Sequence, residues 1–243
     1  MTSSLLDPLR KCAHEIGEIV QLGQHGGFSG VRASQYRLDI TADEIALRIL
    51  HGAGFRVVSE ESGVSGSGAL TVVVDPIDGS TNCDHGVPFY ATSLAVLRGD
   101  ELVAALVMNQ ATGTIYEAEK GGGAFRDGVA ISPSGQRDIA SAVVSFSGLP
   151  SRHLGWAQYR SLGAASLEIC LVADGSLDVF SVAHHSTLNP WDYLGGLLVV
   201  QEAGAVAGDY DGEPLVTSER VRRRPVFAST TELLALFQRT GTI

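Results

Sequence analysis

A mixed α/β (α+β) protein made of two packed halves is predicted by three features of the sequence. They are the continuous apolar run "ALTVVV", a block of turn-separated β segments from Tyr90 to Glu119, and a later alternation of strand-like and helix-like segments. Residues 4 to 22 space Leu5, Leu6, Leu9, Ala13, Ile16, Ile19 and Val20 three and four apart, the pattern of an amphipathic helix. A polar, glycine-rich loop follows over 23 to 37. Thr41 and Glu44 stand at capping-box spacing, so a second helix is expected to begin there and to stop near Gly52 or Gly54.

"FRVVS" reads as a short strand running into Glu60 and Glu61. "ALTVVV" has the length and uniform apolarity of a strand covered on both faces. Between Tyr90 and Glu119, Gly-Asp and Thr-Gly pairs mark turns between antiparallel strands, and "KGGGAFRDG" closes the block as a hairpin. Beyond Ser132 come strand "AVVSF", helix "GAASLEICLVADG", strand "LDVFSV", helix "PWDYLGGLLVVQEAG", strands "AVAGDY" and "PVFAS", and a helix from Thr230. No linker separates the two patterns, so residues 1–243 are expected to form one domain with halves of about 1–138 and 139–243.

The formal charge of -10, from 27 acids against 17 bases, disfavours a nucleic acid polymer as partner; "RVRRR" at 220 to 224 is a short basic cluster. Cys12, Cys83 and Cys170 are odd in number and widely spaced, which suits reduced thiols better than disulfides or a thiolate zinc site. The N-terminal pattern carries charges within its apolar positions, and no uncharged run approaches a membrane span. A cytoplasmic protein with no membrane partner is expected.

The chemistry concentrates in "VVVDPIDGSTN", residues 72 to 82. Two carboxylates at the end of a buried strand lose hydration and repel each other unless a cation neutralises them, and Mg²⁺ favours such all-oxygen sites. Pro76 turns the backbone after Asp75, so Asp78 and the Ile77 carbonyl can approach one point. Gly79 admits backbone N–H groups to an anion, and the Ser80 and Thr81 hydroxyls suit a water or a phosphate. An isolated Asp-Gly is also a common turn former. Its company is what matters here. Glu60 and Glu61 end the preceding strand, and "NPWDYLGG" places Asp192 in the first turn of a helix with Asn189 as N-cap and Pro190 as first residue.

"SEESG" (59–63), "DPIDGSTN" (75–82) and "PWDYLGG" (190–196), in that order, resemble the three signatures of the inositol monophosphatase family of Mg²⁺-dependent phosphatases. "TADE", "GGGAFRDG", "RSLGAASLEICLVADGSLDVF" and "QEAGA" extend the resemblance over roughly 38 to 230. It implies a layered αβαβα sandwich of the inositol monophosphatase / fructose-1,6-bisphosphatase type, a homodimer, and a site between the halves holding two or three Mg²⁺. By position, it implies Glu61, Asp75 and the Ile77 carbonyl around a first metal, and Asp75, Asp78 and Asp192 around a second. A third, weaker metal would use Glu61. The resemblance further implies catalytic roles for Asp43 and Ser80, which would orient the attacking water, and for Glu61 and Asp192. Asp78, Gly79, Ser80, Thr81, Ala165 and Asp192 would bind substrate.

The resemblance has local departures. Inositol-specific members carry a glutamate where this chain has Val182, and the connection "VAHHSTLN" brings His184 and His185 toward the pocket mouth, as substrate contacts or as surface residues. Arg32 and Arg37 stand in a loop that lacks the family's lysine, Cys83 replaces an aromatic, and Arg160 suits a structural ion pair or a phosphate contact. The expected function is a phosphomonoesterase acting on a small phosphorylated polyol, sugar or related metabolite by in-line attack of water, with inositol phosphate first. Fructose 1,6-bisphosphate, histidinol phosphate and 3′-phosphoadenosine nucleotides are alternatives in the same family, and a non-catalytic sugar-phosphate or metal-binding regulator is the alternative outside enzymology.

Overall fold

The computed structural model describes residues 4–22, 27, 28, 30 and 36–241. Arg32, one of the two arginines considered for the loop, lies outside the described residues. Helix α1 (Leu6–Gln21) buries Leu9, Ala13, Ile16 and Val20, the stripe its spacing predicted. Helix α2 (Arg37–Gly52) packs beside it through Ala42, Ala46, Ile49 and Leu50. This helix begins one turn earlier than the Thr41–Glu44 spacing suggested. Tyr36 is its N-cap, and the Tyr36 N–H donates to Asp39 Oδ2 at 2.8 Å, so the capping carboxylate is Asp39 and not Glu44.

Strands β1 (Arg56–Ser59), β2 (Gly63–Ser65) and β3 (Thr71–Asp78) follow, then a one-and-a-half-turn helix α3 (Ser80–His85). Neither β2 nor α3 has a periodicity visible in so short a segment. Strands β4 (Ala91–Arg98), β5 (Glu101–Asn109), β6 (Ile115–Glu119), β7 (Gly123–Arg126) and β8 (Val129–Ala130) complete an eight-stranded sheet of order β2-β1-β3-β4-β5-β6-β7-β8. Only the β1–β3 pair is parallel.

A second sheet holds β9 (Val143–Ser147), β10 (Gln158–Arg160), β11 (Val179–Val182), β12 (Val206–Asp209) and β13 (Pro225–Ala228) in the order β10-β9-β11-β13-β12. Between the sheets lie α4 (Ala165–Ala173) and α5 (Pro190–Ala203), and α6 (Thr231–Thr240) covers the far face of the second sheet through Leu233 and Phe237. The layers therefore run α1/α2, first sheet, α4/α5, second sheet, α6. This is the αβαβα sandwich. Helices α4 and α5 are apolar all round because both their faces are covered, whereas α1 and α6 are amphipathic because one face meets solvent.

The middle layer is tight at two glycines of α5. A Cβ on Gly195 would lie 2.6 Å from Ser93 Oγ and 2.9 Å from Val107 Cγ2, and one on Gly196 would lie 2.5 Å from Ile169 Cγ2. The paired glycines let α5 approach the first sheet with one face and α4 with the other, which sets the depth of its N-terminal end. Ala at 196 gains about 1 kcal/mol of helix propensity but overpacks against a branched, fully buried side chain, at a cost of about 1–3 kcal/mol. Gly196→Ala should therefore lower the unfolding free energy by up to about 2 kcal/mol, read as a lower denaturant midpoint at unchanged m-value.

Candidate active site

Three elements end at one place. Strand β3 is buried from Val72 to Val74 and then presents Asp75. There the ladder slips: Asp75 faces Ser93 and Asp78 faces Ala91, so Pro76 and Ile77 together oppose Thr92 in a β-bulge. Pro76 has no N–H for the ladder, and its carbonyl accepts from Thr92 Oγ1 at 2.8 Å. The Ile77 N–H donates to Asp75 Oδ1 at 3.0 Å. Gly79 takes φ +87°, and a Cβ there would sit 2.9 Å from the Gly163 carbonyl oxygen, so the turn and the close approach both call for glycine.

Helix α5 supplies the second wall. Asn189 is its N-cap with Pro190 next, and the Asn189 N–H donates to Asp192 Oδ2 at 2.7 Å. Ser93, the ladder partner of Asp75, donates through Oγ to the Trp191 carbonyl at 3.1 Å and fastens this helix end to β4. The end of β1 supplies the third wall. The Glu60 N–H donates to the Val74 carbonyl at 3.1 Å, which carries the β1–β3 pairing to the residue before Asp75.

Carboxylate oxygens of Glu60, Asp75 and Asp192 lie within 4.8 Å of one another. At that separation each ionised pair repels by on the order of 3 kcal/mol at an effective dielectric of about 20. Three pairs approach the whole stability of an ordinary domain, about 5–15 kcal/mol. Either protons or a cation must offset them. Accordingly, burial and then Glu61 push Glu60 up to about 7. Burial, reinforced by Glu60 and Asp78, holds Asp75 well above the usual carboxylate range, and burial with Asp78 does the same for Asp192. The donor set is all carboxylate oxygen, on three separate rigid elements, and fits a hard divalent cation.

Asp78 is held differently. Its Oδ2 accepts from both the backbone N–H of Ser166 at 2.7 Å and Ser166 Oγ at 2.5 Å, at the start of α4. These bonds oppose the burial that lifts its pKa to about 6. Asp78, Ala165 and Asp192 line a cleft of about 280 Å³ with Ser147, Ser161 and Leu188. The cleft runs between the first sheet and the second.

Three expected site residues are placed otherwise. Among the described residues Glu60, not Glu61, completes the three-carboxylate cluster, and the charge of Glu61 acts on Asp39 as well as on Glu60. Asp43, expected to pair with Ser80, instead accepts a short hydrogen bond from Ser59 Oγ, whose oxygen in turn accepts the Glu61 N–H at 3.1 Å. Asp43 thus braces the β1 corner. The α2 acid that shares a small pocket with Ser80 is Asp39, one helical turn earlier, along with Tyr36, Cys83 and Asp84. Its Oδ1 is buried with no hydrogen-bond partner among the described residues, and burial lifts its pKa to about 7 against the Tyr36 N–H. Thr81 is exposed on α3, where its hydroxyl accepts from Tyr36 Oη at 3.4 Å, rather than lining the cleft.

The departures noted in the sequence resolve individually. Val182 is fully buried in β11, and Cys83 is a buried packing residue whose thiol burial pushes up to about 11. His184 and His185 are exposed with ring centroids 4.2 Å apart. Arg160 bonds the Tyr159 carbonyl at 2.7 Å, a neutral partner, and not a carboxylate. Arg37 is exposed on the first turn of α2.

The inositol monophosphatase family model matches residues 37–240, which contain every carboxylate of this site. The chain belongs to the inositol monophosphatase family. Family membership makes it a phosphatase of a metal-dependent class that acts on small phosphorylated substrates. Among relatives of this inositol monophosphatase family chain, a fructose-1,6-bisphosphatase/inositol-1-monophosphatase of Archaeoglobus fulgidus is 34% identical over 86% of the chain and 79% of its own length. An inositol-1-monophosphatase of Rhizobium meliloti is 30% identical over 87% and 85%. The crystal structure of an inositol monophosphatase-fructose 1,6 bisphosphatase superposes with a TM-score of 0.85 at 28% identity, covering 98% of this chain and 99% of its own.

Because these carboxylates have raised pKa values when no cation offsets them, the native state binds more protons than the unfolded chain between pH about 4, the ordinary carboxylate value, and about 7. Stability of the metal-free protein then falls as pH rises through that window. Mg²⁺, which displaces those protons, should raise the melting temperature more at pH 7.5 than at pH 5. Glu60→Gln should shrink this pH-dependent difference in a thermal melt; an equal Mg²⁺ effect at both pH values would remove the cation from these carboxylates.

Proposed function

We propose that the protein is a Mg²⁺-dependent phosphomonoesterase for a small phosphorylated polyol or sugar, inositol phosphate first. The observation that carries this reading is the convergence of Glu60, Asp75 and Asp192 beside a cleft that Asp78 and Ala165 also line. Glu60, Asp75 and Asp192 would hold the cation, with Asp78 and the Ile77 carbonyl completing the set. When bound, a divalent cation supplies charge that offsets the carboxylates and the phosphate dianion, and it acidifies water.

The chain's own residues do the rest. The Gly79 and Ser80 N–H groups, at the strand-to-helix turn, receive the phosphate oxygens. Ser80 holds the attacking water, and Asp39 takes its proton, since a carboxylate titrating near 7 is matched to that task at neutral pH. Water oxygen bonds to phosphorus as the ester P–O bond breaks in line, a water beside Asp192 gives a proton to the leaving alkoxide, and the hydroxide so formed regains a proton through solvent as Asp39 releases the one it took. Ala165, Ser161, Ser147 and Leu188 accommodate the alcohol. The homodimer and the cytoplasmic setting stay part of this proposal; among the described residues no helix is long and apolar enough to cross a membrane.

Fructose 1,6-bisphosphate is the second reading, supported by the double name of the Archaeoglobus fulgidus relative and by Val182, which offers no carboxylate to inositol hydroxyls. Phosphate release from inositol 1-phosphate and fructose 1,6-bisphosphate, with and without Mg²⁺, separates the two. Turnover of neither would end the proposal.

Asp39→Asn should lower kcat by about 100-fold or more at pH 7.5, whereas Asp43→Asn should act on thermal stability first. The reverse ranking would return the water-orienting role to Asp43. Asp78→Asn should also reduce turnover, because Ser166 holds that carboxylate at the cleft.

A further inference from the structure

The segment 210–224, between β12 and β13, is irregular but tied at both ends. The Arg224 N–H donates to Asp209 Oδ2 at 2.7 Å, and Arg223 exchanges backbone hydrogen bonds of 2.8 and 2.9 Å with Leu188, two residues before the start of α5. From this segment Arg220 reaches across to the other half of the molecule. Its Nη1 donates to the Ser59 carbonyl at 2.6 Å, its Nη2 to the Glu60 carbonyl at 3.3 Å, and its guanidinium carbon lies 4.6 Å from the centre of the Trp191 ring.

These three partners flank the carboxylate cluster. Ser59 and Glu60 form the corner at the end of β1, and Trp191 immediately precedes Asp192. The Glu60 peptide N–H is already fixed by the Val74 carbonyl at 3.1 Å, and Arg220 takes the carbonyl of the same residue. Both backbone groups of Glu60 are then held, which aims the side chain. Trp191 is fixed from the other side by Ser93 at its carbonyl. A planar guanidinium can span two neighbouring carbonyls while lying over an aromatic face, and an ammonium cannot do both.

We propose that Arg220 is a positioning residue that locks Glu60 and the Trp191–Asp192 turn at the mutual distance a divalent cation needs. The interaction gives one exposed arginine of the "RVRRR" cluster a defined place: it ties the Ser59–Glu60 corner to Trp191 at the rim of the site. The inference rests on the reading that Glu60, Asp75 and Asp192 hold the cation, and its test separates the two.

Mn²⁺, as a calorimetric stand-in for Mg²⁺, is titrated at pH 7.5 into the full chain, into Arg220→Gln and Arg220→Lys, and into Arg222→Gln as an exposed neighbour control. Loss of a group that orients a ligand typically costs 10–100-fold in metal affinity. Arg220→Gln should raise the Mn²⁺ dissociation constant about tenfold, at the low end of that range because the contacts are to backbone. Arg220→Lys, which keeps the charge but not the fork, should recover only part of the loss, and Arg222→Gln should bind as the unaltered chain does. At saturating metal the KM for substrate should be unchanged in both Arg220 variants, which a general loosening of the fold would not leave intact. Unaltered Mn²⁺ affinity in Arg220→Gln, or full recovery in Arg220→Lys, would overturn the proposal. An unaltered chain that binds no Mn²⁺ would overturn the cation reading, and this inference with it.

Discussion

Repulsion among buried carboxylates is the constraint around which this molecule is organised. Glu60, Asp75 and Asp192 converge within 4.8 Å although no two of them come from the same element. A flexible scaffold would relieve such crowding by moving apart. Here each acid sits at the end of a segment that cannot move alone: β3 is flanked by β1 and β4, the β1 corner is braced by Asp43 and Arg220, and α5 is wedged between two sheets. The electrostatic cost is retained by packing, and the cation proposed for this site would turn that cost into affinity.

The layer order follows from the same need. A helix buried on both faces can bring its N-terminal end to the middle of a protein only if it comes close to its neighbours, and Gly195 and Gly196 supply that closeness on the two faces. The bulge at Pro76 and Ile77 and the left-handed turn at Gly79 perform the matching task for β3, switching from strand to helix within a few residues. Asn82 closes the arrangement from α3, with Nδ2 donating to the Phe89 carbonyl at 2.8 Å and the Leu162 carbonyl at 2.7 Å. Glu168 holds the other side of the same loop through the Leu162 and Gly163 N–H groups at 3.0 and 3.2 Å. The loop that brings Ser161 and Gly163 to the cleft is thus clamped between α3 and α4.

Long periodic elements were legible in the sequence because burial on one face or both leaves a repeating mark: α1, the antiparallel meander and α5 appear where their patterns place them. Short elements were not. The three-residue strands β2 and β10 pair only because a neighbouring edge is available, and α3 forms because Gly79 turns β3 onto it. The start of α2 moved by one turn because two acids, Asp39 and Glu44, both stand at capping distance from a plausible start, and spacing alone does not rank them. That one-turn ambiguity also exchanged Asp39 for Asp43 in the site, since residues four apart share a helix face.

The sequence by itself determined the chemical inventory: an apolar strand delivering Asp75 and Asp78, a capped helix delivering Asp192, an adjacent pair of glutamates, and the family to which these belong. Only the tertiary structure decided which glutamate enters the cluster, which acid shares the Ser80 pocket, and that Arg220 lies against the Glu60 corner and Trp191. The reason is physical. Residue type and period are properties of a segment, whereas the direction of a side chain at a strand end or a helix start is set by which neighbour takes its backbone hydrogen bonds, and those neighbours lie up to 161 residues away in sequence.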